Sequence, residues 1–217
     1  MNLEQARFNM IEQQIRPWDV LDGSVLSLLA VVRREDFVPA EHRALAFMDL
    51  EVPLAEGQQM LAPKVEARLL QALAPHKHER VLEIGTGSGF MAALLAHKSQ
   101  QVLSLEIQPA LAASATATLR RAGLVNAEVR CVDGAQGAAA EAPFDAILLS
   151  GSVPDVPRTL LAQLKTGGRL VAIEGCEPVM RAVRYTRSGP DIWQKTVLFD
   201  TVAARLQGFA EASTFSF

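Results

Sequence analysis

From residue 79 onward, short apolar runs alternate with helix-patterned segments, and no other feature constrains the fold as tightly. ERVLEIG, QVLSLEI, AEVRCVDG, FDAILLSG and GGRLVAIEG are strand-length apolar runs, most of them apolar at successive rather than alternate positions. A strand that is apolar on both faces needs cover on both faces, the condition of a parallel sheet flanked by helices. GFMAALLAHK, PALAASATATLRRAG and VPRTLLAQLK supply helices between the runs, and Gly123 suits the stop of the second. The grammar then changes once more. MRAVRYTRSG and DIWQKTVLFDTVAARL alternate in polarity around the polar turn SGPD, which predicts an antiparallel hairpin closing the sheet.

Residues 1–78 read differently. Phe8, Ile11 and Ile15 fall at helical spacing and predict an amphipathic helix that stops before Pro17. SVLSLLAVVRR (24–34) predicts a second helix, with Asp22 or Ser24 as its cap. REDFVPAEHRALAF carries a turn at Pro39 and a short helix. KVEARLLQAL (64–73) is a further helix, with Val65, Leu69, Leu70 and Leu73 on one face and Pro63 in its first turn. The 217 residues are enough for one domain with a full core, and no repeat or low-complexity linker divides them. The expectation is a single α/β domain, 1–217: a Rossmann-like, mostly parallel sheet with helices on both faces and a C-terminal antiparallel hairpin. Residues 1–78 form a helical cap and substrate loop, and 79–217 the cofactor-binding core.

Composition removes several function classes. A net charge of −3, with basic pairs only at 33–34 and 120–121, argues against a sequence-independent grip on nucleic acid. The N-terminus carries Glu4 and Glu12 and no apolar block, so neither a signal peptide nor a membrane anchor is expected. No run approaches the roughly 20 apolar residues that span a bilayer. Cys131 and Cys176 lie far apart inside strand-like runs and read as two structural thiols of a reduced, cytoplasmic protein. His76 and His78, amid Pro, Lys and Arg, read as part of a linker turn rather than a metal pair. Oligomeric state leaves no mark on the sequence.

The motif that carries chemistry is VLEIGTGSGF (81–90). A strand runs into Gly85, Thr86, Gly87, Ser88 and Gly89, and a helix follows. Glycines let the backbone turn sharply and approach a ligand, while the helix start offers free N–H groups. A phosphate loop would need Gly-Lys-Ser/Thr, and a dinucleotide loop would need Gly where Phe90 stands. The remaining shape, acidic-x-Gly-x-Gly-x-Gly, suits S-adenosyl-L-methionine. Glu83 repels a pyrophosphate but favours a sulfonium and an ammonium. Glu106, with the adjoining Ile107, ends the second run and can accept hydrogen bonds from ribose hydroxyls. Asp133 ends the third and can accept from an adenine amino group, with Gly134 leaving room for the ring.

With these residues in place the chain resembles the protein-L-isoaspartate O-methyltransferase family over nearly its whole length. REDFVP, ALAFMD and the following VPL, the GQ…P loop, VLEIGTGSGF, PFDAILLSGSVPDVP and LKTGGRLVAIEG recur in the family's order and spacing. The resemblance implies an S-adenosyl-L-methionine-dependent enzyme that methylates carboxylates of isoaspartyl residues in damaged proteins, in the cytoplasm. It implies Glu83, the loop 85–89, Glu106, Asp133 and Gly134 as cofactor contacts. Asp49 in AFMD matches an acidic family position on the substrate side, and Ser150 at the end of the fourth run is a candidate pocket hydroxyl.

One loop departs. The family has Gly-Gln-Thr-Ile-Ser-x-Pro where this chain has GQQMLAP (57–63). Gly57, Gln58 and Pro63 match. Gln59 replaces Thr, Met60 replaces Ile, and Leu61 replaces the serine that the family uses as its active-site hydroxyl. A carboxylate acceptor is ionised at neutral pH and needs no base, so the enzyme's task is mostly placement, which can supply roughly 7–11 kcal/mol. Losing one hydrogen bond to a charged acceptor costs about 1.5–3 kcal/mol. Gln58 and Gln59 are the amides able to compensate. Three readings stay open at this point: isoaspartyl methylation, the same fold with another acceptor, and a cofactor-binding regulatory protein without turnover. Under family placement, Leu61 is expected to point at the transferable methyl group.

Overall fold

The five apolar runs form five parallel strands in the computed structural model, which describes residues 2–210. They are β3 (Arg80–Ile84), β4 (Gln101–Glu106), β5 (Ala127–Cys131), β6 (Phe144–Val153) and β7 (Leu164–Cys176). The tail adds β8 (Val179–Gly189) and β9 (Ile192–Asp200), each antiparallel to its neighbour. The seven-stranded order is β5-β4-β3-β6-β7-β8-β9. Chain progress therefore runs outward from β3 to β5, then jumps back to the other side of β3. That reversal between β3 and β6 opens a crevice at their carboxyl ends, the usual ligand edge of such a sheet.

Alternate residues of β3, β4, β6 and β7 enter opposite cores, as period-2 geometry requires, while the edge strand β5 lends only Ala127 and Val129 to one of them. Val81, Val102, Ala146, Leu148, Val171 and Ile173 pack with the N-terminal helices and helices α3 (Pro63–Leu73) and α4 (Phe90–Lys98). Leu82, Ile84, Leu103, Leu105, Ile147, Leu149 and Leu170 face the other way. On that second face VPRTLLAQLK yields only one helical turn, α6 (Arg158–Leu161). Leu160 and Leu161 fill the core there, assisted by Tyr185, Trp193, Leu206 and Phe209. Helix α5 (Pro109–Arg121) crosses between β4 and β5, and Gly123 follows it in a left-handed conformation.

The N-terminal region corrects three expectations. The first α-helix, α1, covers only Leu3–Met10; the chain continues as a π-helical turn at 11–15 and a 3₁₀ turn at 16–18 that includes Pro17. Widening the turn rotates the buried side, so Met10, Ile11 and Ile15 are buried while Phe8 is exposed. Helix α2 spans Gly23–Val31, with Asp22 Oδ1 accepting from the Ser24 and Val25 N–H groups, and stops short of the arginines at 33–34. Helix α3 forms as expected, with Val65, Leu69, Leu70 and Leu73 all buried. Between α2 and α3 the chain makes 3₁₀ turns at 34–36 and 40–45 and a two-stranded ribbon, β1 (Val52–Pro53) with β2 (Gln59–Met60).

Cys131 and Cys176 are exposed and unpaired rather than buried. Both stand at the carboxyl ends of strands, where the sheet no longer covers them. His76 and His78 stack with ring centroids 6.0 Å apart, and no group of metal-ligating side chains exists among the described residues. No described helix is long and apolar enough to cross a membrane.

Candidate functional site

The crevice at the β3–β6 reversal is lined by residues remote in sequence. Gly85 and Gly87 come from the loop after β3, Glu106 and Ile107 from the end of β4, Gly134 from beyond β5 and Ser150 from β6. Gln58 and Gln59 arrive from the β1–β2 ribbon, and Leu206 and Gln207 from the segment after β9. The glycine loop has a backbone that other residues resist: Gly85, Gly87 and Gly89 have φ of 89°, 52° and 84°. Gly89 also packs against Ala115 of α5, where a Cβ would sit 3.1 Å from the alanine's own.

Glu106 is buried and already organises the loop. Its Oε2 accepts from the Gly87 N–H at 2.8 Å and its Oε1 from the Gln108 N–H at 3.0 Å. Each oxygen keeps a second lone-pair direction for a ligand hydroxyl. Glu83 is fully buried behind the loop. Its Oε1 accepts from Ser150 Oγ at 2.7 Å and its Oε2 from Ser104 Oγ at 2.6 Å, and Ser104 meets Thr86 Oγ1 at 2.6 Å. Burial pushes the Glu83 carboxyl up to about 8, against the pull of those hydroxyls and helped by nearby Glu106 and Glu66. Glu83 therefore meets the cleft through Ser150 rather than through its own surface.

Other expected residues fall elsewhere. Ser88 turns away from the crevice into an outer groove and its Oγ accepts from the Phe90 N–H at 3.3 Å, at the start of α4. Asp133 is exposed; its Oδ1 accepts from the Ala135 N–H, and Gly208 lies against its carboxylate. Asp49 is engaged by Lys64 Nζ at 2.7 Å on the surface and does not line the crevice. Leu61 departs furthest from expectation. Its side chain is 5% exposed and belongs to the larger hydrophobic core, not to the crevice.

Leu61 is held there by a buried ion pair that the sequence pattern did not reveal. Arg34 Nη2 donates to the Leu61 carbonyl at 2.8 Å, Nε to the Ala46 carbonyl at 2.9 Å, and Nη1 to Glu66 on α3. The guanidinium also lies 5.1 Å from the Phe90 ring centroid, at the start of α4. One buried cation thus ties the 46–61 loop, α3 and α4 into a fixed arrangement. Burial pushes the Glu66 carboxyl up to about 7, opposed by Arg34.

The second hairpin arm ends at Asp200 instead of continuing through VAARL, because the chain beyond it turns to pair with β6. This segment runs beside β6 as a strap: the Ser152 N–H donates to the Ala204 carbonyl at 2.8 Å and the Leu206 N–H to the Ser152 carbonyl at 2.9 Å. Gln207 accepts from Gln108 Nε2 at 2.8 Å. Leu206 presses on the glycine loop so closely that a Cβ on Gly85 would lie 2.5 Å from its Cδ2. The space left in the crevice is about 50 Å³. Ligand cavities are commonly about 300–1,000 Å³, so the crevice with Leu206 in this position is narrower than a nucleoside needs. On the far side of Gly87 and Ser88 a groove of about 1060 Å³ runs between residues 31–43 and α5, with Arg33, Arg43 and Arg121 beside Asp36 and Glu41.

The donor set fits a cationic nucleoside. Glu106 is the one titratable side chain lining the crevice among the described residues, Glu83 lies directly behind Ser150, and no basic group is present to hold a pyrophosphate. Comparison with known proteins agrees. The family model for protein-L-isoaspartate(D-aspartate) O-methyltransferase matches residues 5–200. The protein-L-isoaspartate O-methyltransferase of Herpetosiphon aurantiacus is 39% identical, the match covering 90% of this chain and 87% of the relative. Protein-L-isoaspartate O-methyltransferase 1 of Syntrophobacter fumaroxidans is 38% identical over 91% of this chain and 92% of its own length. Among solved structures, a Plasmodium falciparum beta-aspartate methyltransferase in complex with S-adenosyl-L-homocysteine superposes with a TM-score of 0.81 at 20% identity, covering 95% of this chain and 99% of that one. The chain belongs to the protein-L-isoaspartate(D-aspartate) O-methyltransferase family and is an S-adenosyl-L-methionine-dependent methyltransferase.

Proposed function

We propose that this protein methyl-esterifies the carboxylate of isoaspartyl residues in damaged proteins or peptides, inside a reducing cytoplasm. One observation carries the choice of acceptor. Among the described residues the crevice lining holds no histidine, lysine, aspartate or tyrosine, and its single carboxylate, Glu106, is engaged by two backbone N–H groups. A hydroxyl or amine acceptor would have to lose a proton to a nearby base. A carboxylate is already ionised at neutral pH and asks only for placement.

The cofactor supplies an electrophilic methyl group on a cationic sulfur. In this reading Glu106 accepts from ribose hydroxyls, the Gly85–Gly87 backbone approaches the methionine moiety, and Ile107 and Gly134 flank the base. Asp133, exposed beside Gly208, stands at the adenine end. Gln58 and Gln59 supply amide N–H groups at the acceptor end, in place of the hydroxyl that Leu61 lacks, and the Ser150 hydroxyl lines the same crevice. Gln58 Nε2 donates to the Glu56 carbonyl at 3.1 Å and has a second N–H to offer. The outer groove beside Gly87 gives the polypeptide on either side of the acceptor a surface to lie on. Two exposed, unpaired thiols suit a reducing compartment.

The bond formed distinguishes the reading from its rivals. A carboxyl methyl ester releases methanol in mild alkali, whereas N-methyl and ether products do not. Labelled methyl transferred to an isoaspartyl peptide is expected to become volatile on alkaline treatment. Label that stays bound to the peptide would overturn the carboxylate assignment.

A further inference from the structure

The hydroxyl chain around Glu83 has a property that an ordinary ion pair lacks. Glu83 is buried on β3, and the groups facing it are Ser104 and Glu106 on β4, Ser150 on β6, Thr86 in the glycine loop and Glu66 on α3. Among the described residues, Arg34 is the buried cation of this neighbourhood, and it is committed to Glu66. No described basic side chain therefore compensates Glu83 directly.

Hydroxyls can donate or accept, so the same heavy atoms satisfy either charge state. With Glu83 ionised, Thr86 donates to Ser104, and Ser104 and Ser150 donate to the carboxylate. With Glu83 protonated, the carboxyl O–H donates to Ser104, and Ser104 turns its own proton to Thr86. The 2.6 Å separations on both sides of Ser104 suit both directions. Reversal moves protons and no heavy atom. It also ends at Thr86, between the two glycines that line the crevice.

We propose that Glu83 is a proton-linked counter-charge for the cofactor: protonated in the free protein, it ionises and releases its proton to solvent when the cationic cofactor enters the crevice. The O–H bond of the carboxyl breaks, the proton passes to buffer, and the carboxylate left behind faces the incoming positive charge across Ser150. Burial without a cation keeps the free-state carboxyl at about 8, so most of it is protonated near neutrality. A cation arriving within several ångströms lowers that value, and binding then expels the proton.

The linkage rests on the cofactor alone, so it is measured without any peptide, and a failure of isoaspartyl turnover leaves it untouched. Titration calorimetry of S-adenosyl-L-methionine at about pH 7, in phosphate, Hepes and Tris, gives the protons released from the slope of observed enthalpy against buffer ionisation enthalpy. The expected release is roughly 0.5–0.9 proton per cofactor, falling by the same amount in Glu83→Gln. A proton exchanged by the cofactor's own amino group is common to both proteins and cancels in the difference. A slope indistinguishable between the two proteins overturns the proposal. Should Glu83→Gln not fold, the unmodified protein still decides. Its cofactor affinity is expected to rise several-fold per unit between about pH 6 and 8 and then level off, and a flat profile would overturn the linkage.

Discussion

Replacing Leu61 by serine introduces the hydroxyl that the family resemblance implies at this position, and the structure predicts damage rather than gain. The side chain is 5% exposed and packs within the core shared with α3 and α4. Removing a buried leucine's bulk costs about 2–5 kcal/mol when the site cannot collapse. Here the backbone is pinned at the Leu61 carbonyl by Arg34, so collapse is restricted. A hydroxyl left in that apolar setting adds about 1–3 kcal/mol unless it finds a partner. For Leu61→Ser the cost comes to about 3–5 kcal/mol, and at roughly 2–4 °C per kcal/mol for a chain of this size the melting midpoint should fall by about 6–20 °C. Thermal melts by circular dichroism measure the loss, and methyl transfer to an isoaspartyl peptide well below both midpoints measures function. No rise in turnover is expected, because the new hydroxyl faces the core. A midpoint within about 2 °C of the parent, accompanied by a several-fold gain in turnover, would show that position 61 faces the acceptor and refute the reasoning.

Arg34→Met leaves Glu66 buried without its partner and should cost about 3–5 kcal/mol in denaturant unfolding, while adding Glu66→Leu should recover part of it; a double variant no better than the single would refute the pair's role. Raised folded-state values for Glu83 and Glu66 mean that the native state holds more protons than the unfolded chain between about pH 5 and 8. The cofactor-free protein should therefore lose stability as pH rises through that window, and Glu83→Gln should flatten the decline, as read by melting midpoint against pH. Glu106→Ala removes the acceptor of the Gly87 and Gln108 N–H groups, so cofactor dissociation constants should rise at least about tenfold by calorimetry; an unchanged constant in a folded variant would remove Glu106 from the site.

What the sequence disclosed was governed by local pattern. Strands β3, β4, β6 and β7 announced themselves because burial on both faces leaves a nearly unbroken apolar run, whereas β5, at the sheet edge, alternates apolar and charged residues and is only half-buried; α3 was legible because Pro63 and four spaced apolar residues mark its start and its face. The glycine loop was legible because only glycine supplies three left-handed residues in five. The misplaced features depend on partners distant in sequence or on small changes of helical pitch. Phe8 shares the spacing of Ile11 and Ile15, yet a π-helical turn rotates the buried side away from it. Nothing local marks Arg34 and Glu66 as partners until folding buries them together, where Arg34 also holds the Leu61 carbonyl. ARLQGF (204–209) carries no motif, although its register on Ser152 decides how much of the crevice remains open.

The central claim is that a crevice with no general base among its described lining residues, and with a leucine at position 61, still places an isoaspartyl carboxylate for methylation. Its most direct measurement pairs two synthetic peptides that differ at one residue, isoaspartyl in one and aspartyl in the other, with labelled S-adenosyl-L-methionine at saturation. The account predicts base-labile methyl incorporation into the isoaspartyl peptide at a rate far above that of its aspartyl twin, and a weakened peptide KM with little change in cofactor affinity when Gln58 and Gln59 are both replaced by alanine. Equal rates on the two peptides, or none on either from a protein that binds the cofactor, would contradict it.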